Sequence, residues 1–440
     1  MTRQPLSVTW AGVALLIVIV AACGTRTSDP EARHDTAARP VPSDMRSADV
    51  LAFGPNGVLF IGDSKGSALY AMATPDTVDT RYARDTTSAF FNVYGVERKI
   101  AGVLGVPIDE LTINDLAVHP ASHIAYLAVT RSTGAAAQPA IVTVNRQGDV
   151  RLVDVAAAHP QRMPLKNPLP EQPGMAVGRI PPENLTITDI VYHDGAVYIS
   201  GLTNGAFRST LRRVRYPFAD GPSEDAYIEM YHTVHNRNET KAPINKFTVL
   251  DLNGEPTVVA AYTCTPLVTI PVRALANGAK ISGKTVAEIG FASIPSDMVS
   301  YVESTPDGKK RPVLLVTDKQ RSAALFALDD VAAASRGPGM TKPSMFDPAG
   351  VPYRPLPLAG VLRIDNQDDQ LLLTLRRNID TGEYDLLSWR KGMYIRASDF
   401  VNGMGLEHYP GNDPMQRQLE ANVQRMARDE GLPISPDTRQ

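Results

Sequence analysis

The residues best suited to chemistry in this 440-residue chain lie in YHTVHNRNET, residues 231–240, which brings His232, His235 and Glu239 close together. Two imidazoles and a carboxylate suit a transition metal such as zinc, copper or iron. On a helix these intervals would put all three on one face. The flanking AYIEMYHTVH reads instead as a strand running into a loop, where positions three apart face opposite sides. Chelation then requires the loop to curl, with His119 or His193 as further ligands. Otherwise the histidines are hydrogen-bonded loop residues.

Two other motifs do not complete their chemistry. GDSKG, residues 62–66, matches G-x-S-x-G, which needs a strand-to-helix turn to expose its serine. Here a second apolar run follows, and the similar unit TDKQR, residues 317–321, carries no serine. Ser64 therefore reads as a turn residue. Cys264 opens CTP, but Val268 stands where an arginine would complete C-x-P-x-R. Its thiol reads as a small apolar group within a strand. The chain has no phosphate-binding glycine loop, dinucleotide fingerprint or paired-cysteine metal motif.

Internal repetition supplies the elements that must position these residues. LTINDLAVHP at 111–120 returns as LTITDIVYHD at 185–194, and more weakly as IPSDMVSY at 294–301. Asp115, Asp189 and Asp297 occupy equivalent positions, Asp49 in ADVLAFGP lies one place off, and Lys246 and Arg363 fall near the same position in PINKFTVL and GVLRID. Between the anchors run short Val-, Ile-, Leu- and Tyr-rich segments bounded by turn residues. DLAVHP, AYLAVTR, AIVTVN and VRLVDV read as four successive strands. Four-stranded units repeated about an axis predict an all-β fold, a β-propeller. Six blades are favoured. Seven stay open, because 74–110 and 152–184 are long enough to hold further strands.

In such a fold Asp49, Asp115, Asp189 and Asp297 would line the channel. Like charges about 8 Å apart repel by roughly 2 kcal/mol per pair at an effective dielectric of about 20. Lys246 and Arg363 would neutralise them, or one divalent cation, calcium or a transition metal, would. FGPNGVLFIGD at 53–63 resembles the repeat unit of the NHL-repeat and gluconolactonase-type propellers. That resemblance implies a cation on carboxylate and asparagine ligands at the axis. Asp115, Asp189 and Asp297 are the nearest candidates, with Asn114 beside them.

The amino terminus is a targeting segment. Arg3 precedes a twelve-residue apolar run ending in VAAC, residues 20–23. This resembles the bacterial lipoprotein signal, which implies removal of 1–22, diacylation of Cys23 and attachment to the bilayer. Gly24 favours the outer membrane in a diderm organism. Residues 23–44 read as a lipidated cysteine and polar tether, and 45–400 as the propeller. The tail, 401–440, carries an amphipathic helix over 414–430, with Asp413 as its cap and Gly431 beyond its end.

With 47 acidic and 44 basic residues the formal charge is −3, which gives no electrostatic case for nucleic acid. The expected function is a membrane-anchored, extracytoplasmic platform for a small ligand, a glycan or an envelope protein. A metal-dependent propeller enzyme, of lactonase or oxidoreductase type, is the alternative, and the sequence leaves open whether the protein is an enzyme.

Overall fold

The computed structural model describes residues 40–76, 90–171, 181–218, 221–290, 293–304, 308–319, 321–378 and 381–392. Cys23, the tether before residue 40 and the helix expected over 414–430 lie outside them. The described fold is an all-β propeller, with two α-helices, Val96–Leu104 and Leu328–Arg336.

The chain builds antiparallel meanders of short strands. Leu111–Val118, Ala125–Arg131, Gln138–Val144 and Val150–Leu152 form one four-stranded sheet, the four strands expected from the sequence. Three more sheets of four begin at Val50–Phe53, Pro295–Ser304 and Val361–Asn366. A ten-stranded sheet joins two antiparallel halves, beginning at Asp189–His193 and Ile244–Leu252. Their outer strands, Glu224–His232 and Lys280–Glu288, run parallel where they meet.

The inner strands touch in a closed order: Val50–Phe53, Asp189–His193, Ile244–Leu252, Pro295–Ser304, Val361–Asn366, Leu111–Val118, then Val50–Phe53 again. The Leu111 sheet, second in sequence, therefore lies between the first and the last. This placement entwines the chain. Gln161–Pro164, which follows the Leu111 sheet, returns to edge the Val50 sheet. Asn92–Val93, which precedes it, edges the Val361 sheet. The long connections that left a further blade open thus supply outer strands to other sheets.

Because each sheet is covered on both faces, its middle strands are buried continuously rather than in alternation. Ala196–Leu202 is buried at every position. Neighbouring sheets share hydrophobic layers. Leu51, Leu59 and Ile61 meet Ala117, Tyr126 and Ile141, while Val299, Leu315 and Leu325 meet Ile364, Leu372 and Trp389. Helix Val96–Leu104 turns Val96, Ile100, Ala101 and Leu104 into the layer between the Leu111 and Val361 sheets. It ends at Gly105, whose φ of 67° suits the left-handed cap that glycine adopts without strain.

Candidate functional site

Four inner strands slip register at their anchors: between Ile113 and Asp115, Ile244 and Lys246, Pro295 and Asp297, and Val361 and Arg363. Each bulge inserts one residue and re-aims the next side chain. The residue before the anchor then reaches the adjacent sheet. Asn114 Nδ2 donates to the Ala48 carbonyl at 2.7 Å and Asn245 Nδ2 to that of Pro295 at 2.5 Å. Ser296 Oγ donates to the Val361 carbonyl at 2.8 Å, and Thr188 Oγ1, before Asp189, to that of Ile244 at 2.5 Å.

The anchors repeat this in reverse. Asp115 accepts the Leu51 N–H at 2.8 Å, Asp189 that of Phe247 at 2.9 Å, and Asp297 that of Ile364 at 2.9 Å. Asp365, outside the residues expected to act, accepts the Val118 N–H at 2.7 Å. Each carboxylate therefore fastens one sheet to the next. The sequence signal was available: a polar residue immediately precedes Asp115, Asp189, Lys246 and Asp297.

The other carboxylate oxygens meet on Lys246. Its Nζ lies 3.0 Å from Asp189, 3.6 Å from Asp115 and 3.8 Å from Asp297. Arg363 Nε donates to the Asn114 carbonyl at 2.8 Å and also lies 2.8 Å from Asp115 Oδ1. The proton being directed at Asn114, the Asp115 contact is an ion pair rather than an aligned hydrogen bond, and that oxygen has no hydrogen-bond donor. All four of Asp115, Asp189, Lys246 and Asp297 are buried.

One ammonium shared by three acids explains why the partners shift differently. Burial pulls Lys246 down, but Asp115, Asp189 and Asp297 together hold it above its ordinary value. Burial is the main influence on Asp189, and despite Lys246 its carboxyl is pushed up to about 6. Asp297 is raised for the same reason. Asp365, half-buried, is pushed up to about 7, chiefly by desolvation, with Asp297 and Asp115 adding to the rise. Ionising Asp365 is thus penalised in the folded state, a penalty present above its folded value and absent well below its unfolded one. Between about pH 5 and about pH 8 the wild type should lose about 2 kcal/mol relative to Asp365→Asn. Urea unfolding at both pH values checks this, and a pH-independent difference would contradict it.

Asp49, expected among the channel carboxylates, makes different contacts. It accepts the Ser47 hydroxyl at 2.5 Å and the Ser64 N–H at 3.0 Å, and no ion pair joins it to Lys246 or Arg363 among the described residues. Ser64 is buried, donates to the Ile187 carbonyl at 3.0 Å and precedes the strand Ala68–Ala73. It is a turn residue. Asp63 and Asp318 confirm the repeated hairpin: each accepts the N–H three residues on, from Gly66 at 2.7 Å and Arg321 at 2.9 Å. Cys264 is half-buried between strands, and burial pushes its thiol up, away from the reactive thiolate.

His232, His235 and Glu239 do converge. Glu224–His232 and Arg237–Glu239 form a hairpin pairing Met230 with Glu239 and His232 with Arg237. His232 lies two residues from Met230 and so shares the face of Glu239. Asn236, at a φ of 49°, curls the turn and carries His235 over the pair. His232 Nδ1 lies 3.0 Å from one Glu239 oxygen, and His235 Nδ1 2.7 Å from the other. Burial favours the neutral acid at Glu239, but hydrogen bonds from His235, His232 and Arg237 prevail and lower its pKa. His119 stands elsewhere, its Nδ1 accepting the Ala121 and Ser122 amides at 3.2 and 3.0 Å, and His193 pairs with Ala196 at a strand end. Neither belongs to the cluster.

No protein-family profile and no curated protein matches the chain. Among solved structures it is similar to Drosophila Plexin A in complex with Semaphorin 1b, at 8% identity and TM-score 0.33, covering 80% of this chain and 86% of that one. It is also similar to Bacteroides ovatus xyloglucan PUL GH43B, at 12% identity and TM-score 0.27, covering 62% and 50%. Likeness at this level carries no argument about activity or partners.

Proposed function

We propose that the protein is an extracytoplasmic lipoprotein, anchored through Cys23, whose six-bladed propeller is a binding platform for a small ligand, a glycan or an envelope protein. Six blades are supported by the closed order of inner strands and by the hydrophobic layer between each adjacent pair of sheets. The observation carrying the platform reading is the Lys246 ammonium among Asp115, Asp189 and Asp297. The axis holds its own cation: one oxygen of each carboxylate accepts a neighbouring amide, and the other faces Lys246. An axial metal enzyme of gluconolactonase type needs those oxygens for its ion.

A platform then works through its faces. A groove of about 1350 Å³ opens across the hairpin turns of the Leu111 and Val361 sheets and the inner strand of the Pro295 sheet. His123, Ser300, Tyr301, Asn366, Gln370 and Lys391 are among its lining residues. Its mixture of an aromatic ring with polar groups suits an extended polar ligand such as a glycan or a peptide.

The anchor rests on VAAC at 20–23. Two acyl chains, at about 0.8 kcal/mol for each buried methylene, hold a protein firmly on a bilayer. Cys23→Ser should move the protein from the membrane to the soluble fraction after cell lysis. Retention of the variant in washed membranes would refute the anchor.

A further inference from the structure

We propose that the hairpin at 230–239 binds one divalent transition-metal ion of the zinc class through His232, His235 and Glu239. The inference is independent of the lipid anchor and of the axial cluster. One ligand atom from each residue lies within 4.8 Å of the other two. Donors around a tetrahedral zinc ion stand about 3.3 Å apart, given metal–ligand distances of about 2.0–2.2 Å. The two imidazoles now reach different Glu239 oxygens, at 2.7 and 3.0 Å, and a side-chain adjustment within the 4.8 Å span of the cluster would bring one atom of each residue to that spacing.

The competing account is a hairpin held by hydrogen bonds alone, with Arg237 completing Glu239 at 3.0 Å. The frame favours a metal, because it is anchored on both sides. Thr285 Oγ1 donates to the Tyr231 carbonyl at 2.6 Å, and Thr233 Oγ1 donates to Glu288, both across the joint between the two halves of the ten-stranded sheet. Ligands held on a fixed frame lose little freedom on binding.

Two imidazole nitrogens and one carboxylate select zinc-class ions over calcium or magnesium. Arg237 remains as an outer partner of the carboxylate. The His235 side chain is 47% exposed, so the ion would face solvent there, leaving a fourth position for water or a ligand group.

The test is zinc titration of the full-length chain in detergent after chelator treatment, by calorimetry and by thermal unfolding. One equivalent should bind and raise the melting temperature, since the ion binds the folded state preferentially. His235→Ala and Glu239→Gln should each weaken binding by more than the roughly 10–100-fold that loss of an outer partner costs. His235→Ala should leave the zinc-free melting temperature nearly unchanged, and the exposed control His159→Ala should bind as the wild type does. A folded wild type without zinc binding, or binding untouched by both variants, would overturn the proposal.

Discussion

Replacing Lys246 by methionine should cost the folded protein about 3–5 kcal/mol near neutral pH, the range seen when one partner of a buried ionic group is removed. The loss arises from what stays behind. Asp115, Asp189 and Asp297 would remain buried around a hydrocarbon chain, with Arg363 beside Asp115. Methionine keeps most of the volume, so packing contributes little. The pH dependence separates this account from a simple packing defect. Asp189 is already raised to about 6 with the ammonium present, and loss of the ammonium raises Asp189 and Asp297 further. Protonation relieves their repulsion, so the variant should recover stability as pH falls from neutral towards about 5. Urea unfolding across that range measures both effects.

Phe91→Ala should cost about 3–5 kcal/mol, as truncation of a buried aromatic does, through the closure of the ring. Phe91 is 1% exposed and packs with Leu373, Leu375 and Leu386 of the Val361 sheet. Its N–H donates to Ser388 Oγ at 2.7 Å, and its carbonyl accepts the Ser388 N–H at 3.0 Å. The next residues, Asn92 and Val93, pair with Leu387 and Leu386. An early segment thus completes the sheet built from the end of the described chain. Hydrogen exchange in the variant should increase first in Tyr384–Arg390, the strand that loses its edge partner. Uniform loss of protection across all sheets would contradict this closure.

The repeat was legible because burial on two faces writes apolar runs, and because a polar residue recurs before four of the anchors. Asp115, Asp189, Lys246 and Asp297 could be aligned that way, and the equivalence of Asp63 with Asp318 is visible in LFIGD and LLVTD. The bulges were not legible. A register slip depends on pairing with a second strand, and no local residue pattern announces one. The same holds for sheet order. Asn92–Val93 and Gln161–Pro164 are too short to show periodicity, so their exchange between sheets is a tertiary fact. Asp49 differs because its Oδ2 accepts from both the Ser47 hydroxyl and the Ser64 amide. The convergence of His235 turned on one residue, Asn236, in a left-handed conformation open to asparagine.

The central claim is that the axis of this propeller carries its own cation. Thermal unfolding of the wild type and Lys246→Met, each with and without millimolar calcium, tests it directly. Calcium should leave the wild type unchanged and stabilise Lys246→Met, where a divalent ion can take the place of the ammonium. A calcium-induced rise in the wild type that disappears in Asp189→Asn would contradict it, and would make the axis an ion site.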